Sequence, residues 1–287
     1  MTQPMIQPRL VSAEIMKIRT TRAWWIFTGI FTLFSAVALL NNFLSHHYQL
    51  YPQQDLADRA QALAQAAEAR TPAGAVAIAA SMMTSGQFLT ILVAMLLGAH
   101  VMTSEFAQRT ATATFLVTPR RDRVVVAKLA AAVTFGALFW LIATVLDGAV
   151  TPVFMASQHI STSLTGPGVV RAVLLGLLAF ELWAVFGLGL GAVLRSEVAS
   201  VVTGIAIYAG GFAVVELLFH GLYDLHHQAW LLGAPVIAPA VASWVMLTPA
   251  PAFPHAPPQW VGAVIMAGYA LALATAGIVQ TRRHDIS

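Results

Sequence analysis

Long apolar runs separated by short polar stretches set the pattern of this chain. Six of them fall at about 24–44, 80–102, 124–149, 170–194, 198–220 and 260–280. Each is near the ~20 residues that a helix needs to cross a bilayer. Backbone in lipid must satisfy its own hydrogen bonds, so apolar runs of this length predict helices. The short segments of alternating apolar and polar residues that mark a β-barrel are missing. The expected fold is an all-α integral membrane protein, with residues 1–287 forming one transmembrane domain of six helices.

Three further segments do not fit the spanning pattern. Residues 6–22 predict a short basic helix with Val11, Ile15 and Ile18 on one face and Arg9, Lys17 and Thr20 largely opposite. That suits an amphipathic helix lying on a membrane surface and drawn to anionic lipid. Residues 53–70 are rich in Ala and Gln and predict a short external helix, with Leu56, Ala60, Leu63 and Ala67 on one stripe. Residues 229–248 are apolar over nearly a full span, but Pro235 and Pro239 interrupt them. A re-entrant or interfacial segment between spans five and six is expected there, rather than a seventh crossing.

Composition supports the membrane reading. The chain is 58% hydrophobic and 9% charged, against about 25% charged in soluble domains. Mean hydropathy is +0.75. The first apolar run, from Trp24, is too long for the core of a secretory signal, so none is expected. Cysteine is absent, which excludes disulfides and thiolate metal sites. Lys and Arg are distributed unevenly among the connections. Twelve lie before span one, between spans two and three, between four and five, and after span six. The other side has only three, Arg59, Arg70 and Arg171. The positive-inside rule then predicts that both termini are cytoplasmic. The net charge of +3 reflects this topology; no interleaved aromatic and basic patch suggests nucleic acid.

Candidate chemistry is sparse. The only lysines are Lys17 and Lys128, and neither follows a glycine-rich loop, so no phosphate-cradling motif exists. Gly187 and Gly191 form a small-xxx-small face inside span four that suits close helix packing. His46, His47, His220, His226, His227 and His255 gather on the outer side, but only Asp224 could add a carboxylate, so no metal site is assigned. A membrane metalloenzyme using these histidines is one alternative function, and a scaffold or sensor without an ATPase is another. Three acids lie within apolar runs: Glu181 near the middle of span four, and Asp147 and Glu216 toward the outer ends of spans three and five. An intramembrane carboxylate normally faces a bundle interior or a cavity. Each is a candidate contact on a pathway or a brace between helices.

Five of the fifteen basic residues lie in one stretch, Ser104 to Lys128. The surrounding sequence, LLGAHVMTSEFAQRTATATFLVTPRRDRVVVAKLAA, resembles the second span, cytoplasmic loop and third-span start of ABC-2 type ABC-transporter permeases. The residues that carry the likeness are Gly98, Ser104, Glu105, Phe106, Arg109, Thr110, Pro119, Arg120, Arg121 and Lys128. EIMKIRTTRAWW, LGLGAVLRS, VVELLF and TRRHDIS resemble family patterns elsewhere, so the likeness covers essentially the whole chain. It implies an exporter subunit in a bacterial cytoplasmic membrane. It also implies a coupling helix after span two, whose Glu105, Phe106, Arg109, Thr110, Thr112 and Phe115 meet a separate ATP-binding subunit. ATP and Mg would bind that partner, and this chain would hold no cofactor. A second permease copy, or a similar chain, and membrane lipid are the other implied partners.

Overall fold

The computed structural model describes residues 8–52, 59–107, 121–161, 164–248, 252–253 and 255–283. Most of the expected coupling helix, including Arg109, Thr110, Thr112 and Phe115, lies outside these residues. Among the described residues there is no strand, and six helical segments are long and apolar enough to cross a membrane. They coincide with the six apolar runs of the sequence.

The chain begins with α1 (Pro8–Thr20) and α2 (Arg22–Leu50). A short helix follows, α3 (Arg59–Ala69), then α4 (Pro72–Met83) and α5 (Gln87–Ala107). The third span is α6 (Arg121–Ser157) and the fourth α7 (Pro167–Leu194). The fifth contains α8 (Glu197–Ile205), a π-helical turn (Ala206–Gly210) and α9 (Gly211–His226). Then come α10 (Trp230–Gly233), a 3-10 turn (Ala234–Ile237), α11 (Pro239–Leu247) and α12 (Gln259–Arg283).

Helix α7 is the central post, and its glycines explain why. A methyl group built on Gly187 would collide with the Met95 carbonyl, and one on Gly98 of α5 would strike the Ala184 carbonyl. On another face, a Cβ at Gly189 would sit 2.7 Å from Leu273 of α12. Removing side chains lets backbones touch, and in lipid that van der Waals contact is a main source of helix association. Residues of the α7 end and the α8 start then reverse the chain within two positions. Arg195 adopts a left-handed conformation (φ 53°), its N–H bonds to the Gly191 carbonyl at 2.9 Å, and Ser196 caps α8 through the Ala199 N–H. The Arg195 guanidinium donates to the Gln280 carbonyl at 2.9 Å, which ties this corner to α12. Helix α2 is peripheral. It attaches through Trp24, Phe27, Phe31 and Phe34, with Phe31 stacked on Phe139 at 4.4 Å.

The structure differs from the sequence reading in three places. Span two starts at Pro72 rather than near 80, because Thr71 caps the Gly74 N–H and Pro72 opens the helix. That span is also broken at Thr84–Gly86, where Gly86 takes φ +73°. In α3 the buried stripe contains Ala66 and Ala69, and Leu63 is half exposed. Alanine wins there because α4 approaches so closely that a Cβ on Gly74 would meet Ala69 Cα at 2.7 Å. As the prolines predict, segment 230–247 bends by 105° between Ile237 and Pro239. Ala238, which precedes Pro239, is held extended (φ −72°, ψ 134°), as the proline ring requires of its predecessor.

Candidate functional site

Both lysines of the chain meet at one end of the bundle. Helix α1 buries a face containing Glu14 and Ile18, and Lys17 follows Glu14 by one turn. Helix α5 brings Glu105 near its end, and α6 brings Lys128 in its second turn. Lys128 Nζ lies 2.7 Å from Glu14 Oε2 and 3.1 Å from Glu105 Oε1, and it donates to the Val101 carbonyl at 3.2 Å. All three ammonium protons are thus engaged. Lys17 Nζ lies 2.7 Å from both Glu14 Oε1 and Glu105 Oε1. Two positive and two negative charges therefore neutralise one another.

Burial makes this arrangement consequential. Lys128 is 2% exposed, Glu14 6% and Glu105 7%. Charges taken out of water are tolerated only when paired and hydrogen-bonded. Lys17 is the wet member. Burial alone would lower its pKa, but its bonds to Glu105 and Glu14 outweigh that and hold the ammonium above its ordinary value of 10.5. Beside the network lies a cavity of about 520 Å³, bounded by the α1–α2 joint, His100 and Ser104. His100 Nδ1 sits 2.7 Å from Glu197 Oε1 and ties α5 to the first turn of α8. The arrangement holds no nucleophile poised by a base. It fixes α1, the end of α5 and the start of α6 as one body, and the last two flank residues 108–120.

A family description, ABC-2 family transporter protein, matches residues 9–285. The chain belongs to the ABC-2 transporter family. No curated protein matches it. The chain is a multi-pass membrane protein and the permease of an ABC transporter, a family that works with an ATP-binding subunit.

In this ABC-2 permease the residues implied by family resemblance occupy different settings. Glu105 is turned inward, with its carboxylate engaged by both lysines. Phe106 lies in the last turn of α5. Glu14 was not singled out in the sequence. Its signal was an acid on the Val11–Ile15–Ile18 face of a helix, where an isolated charge would be costly. The histidines on the opposite side bond to separate partners, His46 to Ser81 and Gln49 and His47 to Gln158. Among the described residues, no three His, Asp or Glu side chains could hold a metal together.

The intramembrane acids of the permease also diverge. Asp147 is 2% exposed, and its Oδ2 accepts the Ser85 N–H at 3.1 Å. It thereby adds a second acceptor to a backbone donor whose other bond at the break, to the Met82 carbonyl, is a long 3.3 Å. Asn42 of α2 supports the same break, donating to Ser85 Oγ at 2.9 Å and the Ser81 carbonyl at 3.1 Å. Asp147 is a brace between α6 and span two. Asp147→Asn keeps an acceptor and should leave stability nearly unchanged. Asp147→Leu leaves the buried Ser85 N–H with only its long 3.3 Å bond to the Met82 carbonyl, at a cost of about 1 kcal/mol. Thermal unfolding of the purified variants checks this, and equal midpoints would remove the brace. Glu216 Oε2 faces His220 Nδ1 at 3.3 Å within α9, while its Oε1 is buried without a hydrogen-bond partner. Glu181 is partly buried on α7, and no partner for it occurs among the described residues.

Proposed function

We propose that this permease is the membrane half of an exporter in a bacterial cytoplasmic membrane, with both termini cytoplasmic. Two permease chains, identical or similar, would form the pathway, and two ATP-binding subunits would carry ATP and Mg. The observation that supports this best is the four-charge network. It clamps α1 to the two helices that flank the loop resembling a coupling helix, and a loop so anchored can pass a push from below into three elements together. Arg109, Thr110, Thr112 and Phe115 are assigned to the ATPase contact, with Phe106 at its edge. Glu105 is assigned to the frame behind that contact, since its carboxylate is already spent on Lys17 and Lys128. ATP-driven closure of the partner would bias the bundle between two access states.

The test separates contact from frame. Arg109→Glu should abolish co-purification with the ATP-binding subunit, or its stimulated ATP hydrolysis, while unfolding of the permease alone stays unchanged. Glu105→Lys should lower the stability of the permease itself. Normal association and turnover in both variants would remove the coupling assignment.

A further inference from the structure

Three departures from regular helix meet at one place away from the ion network. Span two is broken at Thr84–Gly86, with Gly86 at φ +73°. Span five carries a π-helical turn at Ala206–Gly210. The 230–247 segment bends by 105°. Thr84 and Gly86, Tyr208 of the π-helical turn, and Ser243 and Trp244 of α11 all line the same cavity of about 660 Å³, which α2 closes on another side. Backbone irregularity at membrane depth is tolerated where protein or a cavity covers it, and π turns and interrupted helices recur at binding sites within membranes.

The wall has a definite chemistry. None of its residues is Asp, Glu, Lys, Arg or His. The apolar part includes Ile91, Leu247 and the Trp244 ring. The polar part contains uncharged donors and acceptors, among them the amides of Asn41 and Gln87. Neither of these amides has a hydrogen-bond partner among the described residues. The back wall is rigid: Tyr208 donates to the Phe88 carbonyl, its ring stands edge-on to Trp183 at 4.8 Å, and Trp183 donates to Ser243 Oγ at 3.0 Å. Asp147, which is not in the lining, is engaged at the break by the Ser85 N–H.

We propose that this cavity is a binding site for a neutral amphiphile, with an apolar body against Trp244 and Leu247 and an uncharged hydrogen-bonding head held by Asn41 and Gln87. The proposal names the substrate class within the permease reading and rests on that reading only for the word substrate; binding itself does not require the ATPase. A charged head would lose its hydration without gaining a counter-ion, whereas hydroxyls or amides would find partners.

The test uses the full chain in phosphatidylcholine nanodiscs, without nucleotide or partner. The probe is a monoacylglycerol with a diazirine in its chain, and adducts are mapped by mass spectrometry. Adducts should fall near Asn41 and Trp244 and be displaced by excess unlabelled monoacylglycerol. Fatty acid and alkyl-trimethylammonium probes of the same chain should label at least about tenfold less, since each must desolvate a charge. Asn41→Leu, on an exposed position of α2, should reduce the labelling without altering the elution of the folded chain. A diazirine phosphatidylcholine separates bulk lipid from a selected ligand. If it labels the same residues and is not displaced, the cavity is a lipid-filled crevice and the proposal falls. Equal labelling by the neutral and charged probes also overturns it. Selective labelling by a chain that engages no ATP-binding subunit would keep the site and remove the transport reading.

Discussion

Lys128→Ala should destabilise the permease by about 3–5 kcal/mol, the usual consequence of removing one partner from a buried ion pair. The reason lies in what remains. Glu14 and Glu105 stay buried beside each other, with Lys17 as the only cation of the network left to them. Lys17→Ala should cost much less, about 1 kcal/mol or below, because the Lys17 side chain is 47% exposed and water can replace it. Replacing Glu14, Glu105 and Lys128 together with leucine should recover most of the stability, since a packed apolar trio has no charge to desolvate. Unfolding in detergent gives the order. Equal midpoints for Lys128→Ala and the unaltered chain would show that the network contributes nothing.

The same network sets an alkaline limit. The pKa of Lys17 is raised in the folded state, so its contribution is fully present below the unfolded value of 10.5 and is lost as pH rises through the higher folded value. No loss is expected between pH 7 and 10. The chain has no cysteine, so one introduced at Arg9 would be a unique label on α1. Its mobility should increase only above that limit; release near neutral pH would contradict the pairing.

Gly187→Val is the second large effect expected. A Cβ at Gly187 collides with the Met95 backbone carbonyl, and a backbone atom cannot step aside as a side chain can. Overpacking of this kind costs about 1–3 kcal/mol, and valine at this position should reach the upper end or prevent assembly of α5 on α7. Gly268→Ala supplies the contrast. Nothing lies within 4 Å of a Cβ there, and a helix interior gains roughly 0.5–1 kcal/mol from alanine over glycine. Similar midpoints for the two variants would mean that α5 and α7 do not touch as closely as described.

Much of this fold was legible because bilayer length and backbone satisfaction act on contiguous residues. The six spans and the Gly187–Gly191 packing face follow from such local patterns. The proline bend near 238 was also visible, since Pro239 acts on its immediate neighbour. The break at 84–86 was not, because a Thr, a Ser and a Gly within an apolar run are equally compatible with a straight helix. One support of the break is Asp147, 62 residues away, accepting from the Ser85 N–H. The π turn in AIYAG has no sequence signature of its own. The charged network was legible only in part. Two lone lysines and an acid after span two were visible, but Glu14 gains its meaning from Lys128, and no local pattern reports such a pairing.

That separation bears on how the protein is made. Glu14 and Lys128 are 114 residues apart. At roughly 5–20 residues per second, the ribosome needs on the order of ten seconds between them. Throughout that interval the carboxylate of Glu14 has only Lys17 of its own helix as a partner within the network. Completion of the network around α1 therefore waits until the start of the third span has been made.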